Sequence, residues 1–102
     1  MQFMVRYRDR EGAGELRKQH RKAHTEYRRS LGLNRLMSGP LLAEDCTTPV
    51  GSLLVIEAPD LAAARIVATS DPFVALGALE LVELVPMEVR IVNPVPGGGK
   101  AD

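Results

Sequence analysis

Polar and apolar positions alternate through the opening residues, MQFMVRYR. Phe3, Val5 and Tyr7 point one way, and Gln2, Arg6 and Arg8 point the other. Met4 alone breaks the pattern. A period of two in aromatic and β-branched residues predicts a strand, and DREGAG then supplies turn residues. From Glu15 to about Leu31 the period lengthens. Leu16, His20, Ala23, His24, Tyr27 and Leu31 recur at spacings of three and four, which is one stripe of a helix. Arg17, Lys18, Arg21, Lys22, Arg28 and Arg29 fall between them as a solvated face, and Gly32 stands where a helix C-terminal cap belongs.

LNRLMSGPLL reads as a second strand interrupted at Gly39-Pro40. Proline has no N–H for a ladder, so Ser38-Gly39-Pro40 is expected at a bulge, an edge or a strand end. AEDCTTPVG is a polar loop. In SLLVIEA the consecutive Leu53, Leu54, Val55 and Ile56 predict a third strand buried on both faces. Asp60 is a good N-cap for an alanine-rich helix, LAAARIVATS. SDPF then offers Asp71 at an N-cap and Pro72 at the first helical position, so a short turn is expected from Pro72 to about Leu76. LELVELVPMEVRIV predicts a long last strand with Pro86 at a bend or bulge, and NPVPGGGKAD has the composition of a flexible tail.

The order β-α-β-β-α-β is the ferredoxin-like arrangement: an α+β fold with an antiparallel sheet and both helices on one face. Residues 1–92 make the domain and 93–102 the tail. The third strand, with Val82 and Leu84 of the fourth, is apolar on the helix-free face too. A second copy of the sheet is the simplest cover, so a homodimer closed as an α+β barrel is expected.

Bulk properties narrow the function. A chain of 102 residues fits one small domain with a modest core. Formal net charge is zero, so no global basic field holds nucleic acid. With two tyrosines, two phenylalanines and no tryptophan, a sheet of stacking aromatics for RNA is also disfavoured. The single cysteine, Cys46, excludes an intrachain disulfide and suits a reducing cytoplasm. No apolar run approaches the roughly 20 residues of a membrane span, and no signal-peptide pattern opens the chain.

Candidate chemistry gathers around RKAHTEYRR, residues 21–29. His20 and His24 lie one helical turn apart and could chelate a transition metal, or could be core-edge residues without function. A metal needs further ligands that the pattern does not offer. His24 beside the small Ala23 has room to exchange a proton near neutral pH. Such a histidine needs an orienting carboxylate, and the topology favours Asp71 at the end of the second helix. Asp71 could equally do no more than cap the Pro72 turn. One oxygen could cap while the other faces His24. Gly39 could mark close approach of a ligand, or only shape the sheet. Cys46 has no basic neighbour to activate it.

RKAHTEY, MSGPLL and SDPFVALGALELVELVPM, in that order and spacing, resemble the YciI-like, or YCII-related, family. The resemblance covers residues 1 to about 90. It implies a dimeric ferredoxin-like barrel with a His-Asp pair in a pocket, here His24 and Asp71. It also implies a small-molecule substrate, acid/base chemistry on a cyclic or aromatic compound, and no cofactor. Ser38, Gly39, Pro40, Phe73 and Tyr7 are then the expected substrate-binding residues. Phe73 stands where many relatives have tyrosine, and His20 matches no motif position. A non-catalytic ligand-binding or interaction module of the same barrel type is the alternative.

Overall fold

The computed structural model describes residues 1–100. Strand β1 (Gln2–Asp9) leads to helix α1 (Ala13–Ser30), and a 3₁₀ turn at Gly32–Asn34 leads into β2 (Arg35–Leu42). β3 (Pro49–Glu57) follows, then helix α2 (Leu61–Thr69), the single-turn α3 (Pro72–Ala75) and β4 (Leu79–Met87). The four strands form one antiparallel sheet in the order β2-β3-β1-β4, which is the ferredoxin-like topology.

Alternation along the strands decides what each face buries. Phe3, Val5 and Tyr7 lie opposite Ile56, Leu54 and Ser52 of β3, and all six are buried. Above them sit Ala64 and Ala68 of α2 and Phe73 of α3. Small alanines let α2 approach the sheet closely. Asp60 caps α2 by accepting the N–H of Ala63 at 2.8 Å. Its last turn is closed by two tyrosines from elsewhere: Tyr7 donates to the Ala68 carbonyl and Tyr27 to the Val67 carbonyl, both at 2.7 Å. These bonds satisfy carbonyls that a helix end leaves without partners. They also tie β1, α1 and α2 together.

Several expectations need correction. Helix α1 is kinked at His20, whose φ of −118° and ψ of 15° leave the helical region. A stripe counted straight across that break does not hold. Ala23 is exposed, whereas Arg28, expected on the wet face, is 3% exposed. Leu84 lies opposite Val5 and packs on the core, so it faces the helices rather than the open side of the sheet. β4 ends at Met87 instead of running to Val92, because Met87 already pairs with Gln2, the first residue of β1. Beyond it no partner strand remains among the described residues.

The irregularity in β4 falls opposite Arg6 and Tyr7, at Val82, and not at Pro86, which pairs with Phe3. Pro40 likewise stays inside β2, opposite Ser52, with register shifts on either side of it rather than at Gly39. Both prolines therefore sit in outer strands, where a missing N–H is tolerated. Residues 93–100 carry no helix or strand and are exposed; residues 101–102 of the expected tail lie outside the described residues. Among the described residues no helix is long and apolar enough to cross a membrane.

Candidate functional site

Asp71 is the centre of the site. It precedes α3 in extended conformation and caps it, as Asp-Pro at a helix start should. The carboxylate is fully buried and both of its oxygens are engaged. Oδ1 accepts the Phe73 N–H at 2.9 Å and also faces Nδ1 of His24 at 2.8 Å. Oδ2 accepts Nε–H of Arg28 at 2.7 Å. The capping oxygen is thus the one that meets the histidine, and the second oxygen belongs to an arginine.

Burial by itself would push the Asp71 carboxyl up. The hydrogen bond from His24, the charge of Arg28 and the Phe73 N–H outweigh that and hold it below the ordinary carboxylate value. An ionised carboxylate only accepts, so the His24 nitrogen facing it carries a proton. Neutral His24 then has Nδ1–H toward Asp71 and a bare Nε2 lone pair on the opposite side of the ring. The His24 side chain keeps 20% of its surface in solvent, so the ring is reachable.

Phe73 fixes the plane of that ring. Its side chain is buried and stacks on the imidazole with centroids 4.0 Å apart and planes 4° from parallel. The Arg17 guanidinium lies 5.5 Å from the Phe73 centroid. Expected on the solvated face, Arg17 is instead partly buried and bound to Asp9, with Nη2–Oδ1 at 2.5 Å and Nε–Oδ2 at 3.2 Å. Arg28 was not a sequence candidate. A count by fours from His20 through His24 reaches it, yet its charge argued for solvent. Its guanidinium lies 5.5 Å from the Tyr7 centroid, and its Nη2 is buried with no hydrogen-bond partner.

The other expected residues are arranged differently. Tyr7 was expected to touch substrate, but it is 1% exposed and its hydroxyl is committed to Ala68. Burial pushes that hydroxyl far above its ordinary pKa, so it stays protonated. Ser38, Gly39 and Pro40 lie in the outer strand β2, opposite Leu54, Leu53 and Ser52. Register therefore puts Ser38 and Pro40 on the helix side and Gly39 on the open side. Among the described residues none of the three hydrogen-bonds to His24 or Asp71. A Cβ at Gly39 meets no protein atom within 4 Å, so packing within the chain does not require that glycine. The close approach is at Gly51, where a Cβ would stand 2.3 Å from the Tyr7 carbonyl oxygen.

Among the described residues no three His, Cys, Asp or Glu side chains gather as a metal ion requires. Two surface depressions form elsewhere, one bordered by Arg6, Arg8, Leu41 and Gly51 and one along Leu61, Arg65 and Ile66. Neither is lined by His24 or Asp71.

The sequence model of the YCII-related domain matches residues 1–88. No curated protein matches the chain. Among solved structures the chain is similar to 5-chloro-2-hydroxyhydroquinone dehydrochlorinase from Burkholderia phenoliruptrix AC1100, in complex with 2,5-dihydroxybenzoquinone. That likeness has a TM-score of 0.68 at 22% identity and covers 97% of this chain and 100% of the other. At this identity it establishes a shared fold.

Proposed function

The chain belongs to the YCII-related domain family, and we propose that it is a small enzyme that works without a cofactor, moving a proton on a small cyclic or aromatic substrate. His24 is the general acid/base and Asp71 its orienting partner. One observation carries this reading: an exposed-edge imidazole whose Nδ1 is held at 2.8 Å by a fully buried carboxylate. That arrangement fixes the tautomer, aims the Nε2 lone pair outward and stabilises the imidazolium once a proton is taken. Nε2 removes a proton from an acidic C–H or O–H, and the same nitrogen returns it to the leaving group or to another atom of the product. Phe73 keeps the ring in plane, while Ser38 and Pro40, on the helix side of the sheet, supply wall rather than chemistry.

The active form is a dimer closed sheet to sheet. Val55, Met4 and Val85 meet across β3, β1 and β4 on the helix-free side, with Met37 beside Val55 on β2. Met37 is 53% and Val85 40% exposed, a large apolar face for a single chain to leave in water.

The test begins with hydroxylated quinones and hydroquinones, the compound class bound by the similar structure, and widens to other cyclic acids by ligand-observed NMR with product analysis. His24→Ala is expected to lower turnover by about 10²- to 10⁴-fold while the fold and oligomer persist. Binding without turnover in every substrate class would instead make the chain a ligand-binding module.

A further inference from the structure

Asp71 does not serve His24 alone. Its two oxygens are divided between two basic side chains, and the arginine holds the one that the histidine does not touch. Arg28 reaches that oxygen from within α1, four residues beyond His24, so one helical face presents both groups to a single carboxylate. The guanidinium is buried, lies over the ring of Tyr7 and keeps an unpartnered Nη2. A buried cation with an orphan donor is costly to retain, and a structural tether between α1 and α3 needs no charge.

We propose that Arg28 is a positioning residue that sets the proton affinity of the dyad: by holding Oδ2 and cancelling the carboxylate's charge, it makes His24 titrate beside a neutral pair rather than beside a bare anion. This rests on the assignment of His24 as the acid/base. Without the arginine, a buried carboxylate would hold the imidazolium tightly, and a base that keeps its proton does not turn over. With it, Asp71 still fixes the tautomer through Nδ1–H, and the imidazolium releases its Nε2 proton readily. The remaining groups around the pair leave this role to Arg28. Tyr7 from β1 and Tyr27 from α1 are bound as neutral hydroxyls to α2 carbonyls. Arg17, beyond Phe73, is matched by Asp9. His20 lies a turn earlier, at the kink.

The experiment is an NMR pH titration of the His24 ring, with its ¹⁵N tautomer signature, in the full-length protein and in Arg28→Gln, Arg28→Lys and Asp71→Asn. Gln keeps a donor near Oδ2 without charge, and its midpoint is expected to rise by about one pH unit, a tenfold gain in proton affinity. Lys keeps the charge without the fork and is expected to stay near wild type. Asp71→Asn should move the midpoint down and loosen the tautomer preference, and this arm tests the dyad by itself. A folded Arg28→Gln protein with an unmoved midpoint would overturn the proposal, leaving Arg28 as a tether. Should Arg28→Gln not fold, an upward shift in Arg28→Lys would overturn it equally, because the charge is still there. An Asp71→Asn midpoint that does not move would remove the dyad and the proposal together.

Discussion

Replacing Asp71 with alanine measures how much the fold depends on its site. Three interactions vanish at once. Loss of the Phe73 N–H acceptor removes an N-cap, which costs about 1 kcal/mol. Loss of the Oδ2 contact leaves Arg28 charged, buried and unpaired, a change that in comparable pairs costs about 3–5 kcal/mol. The His24 bond adds little more, since these terms share one carboxylate and do not sum. The expected penalty is therefore about 4 kcal/mol, a large share of the roughly 5–15 kcal/mol that holds a domain together. Urea unfolding followed by far-UV circular dichroism, at one fixed protein concentration, reads it directly. With a slope of about 1–2 kcal/mol per molar, the midpoint drops by about 2–4 M. Adding Arg28→Met to Asp71→Ala should recover about 2 kcal/mol, because it removes the orphan charge that dominates the loss. A single-mutant cost below about 1.5 kcal/mol, or a second substitution that only adds to the damage, would refute the reasoning: water or another acceptor would then be serving the arginine.

Acid should destabilise the protein through the same carboxylate. Its folded-state pKa is depressed, so its contribution is complete above the unfolded value of about 3.9 and is lost as pH falls through the folded value; Asp71→Asn should flatten that limb of the stability profile. Tyr7 acts at the other end. Its hydroxyl is pushed up, so its contribution is whole below about pH 10 and fades as pH climbs toward the folded value, and Tyr7→Phe, at a cost of about 1 kcal/mol, should remove that alkaline decline. Gly51→Ala places a methyl against the Tyr7 carbonyl and should cost about 1–3 kcal/mol in thermal or urea unfolding; an unchanged midpoint would mean that β1 and β3 part without penalty. Val85→Glu should halve the mass seen by light scattering without altering the circular dichroism, whereas an unchanged mass would place the interface elsewhere.

Much of the fold was readable because hydrophobic period changes cleanly along this chain. Alternation through Tyr7, the helical spacing that follows, and the Asp60 and Asp71-Pro72 caps mark all the main elements. What failed has physical causes. EVRIV alternates like a strand, but a strand exists only beside a partner, and β1 has run out at Gln2. Arg28 carries a charge that belongs in water on average, and only the fold brings a buried carboxylate to meet it. The kink at His20 turns the second half of α1 relative to the first, so Ala23 leaves the interior. A glycine inside a strand pattern drew attention to Gly39, while the crowding between backbones of this chain lies one strand over at Gly51, which the pattern did not single out. His24 and Asp71 could be paired on paper because both helices share a face of the sheet; which oxygen does what could not.

The prolines of the outer strands bear on how copies of this chain can meet. A sheet with free rims is a template onto which further chains can be laid strand by strand, and nothing in such growth tells it to stop. Pro40 and Pro86 each withdraw a donor from a rim, one on either side. Extension of the ladder is discouraged in both directions, while the broad apolar surface stays open. Contact through that surface is finite, because each copy has one and covering it leaves none over. The same residues that looked like defects in the strand pattern thus disfavour growth strand by strand and, in the proposed dimer, leave the sheet face as the surface through which two copies meet.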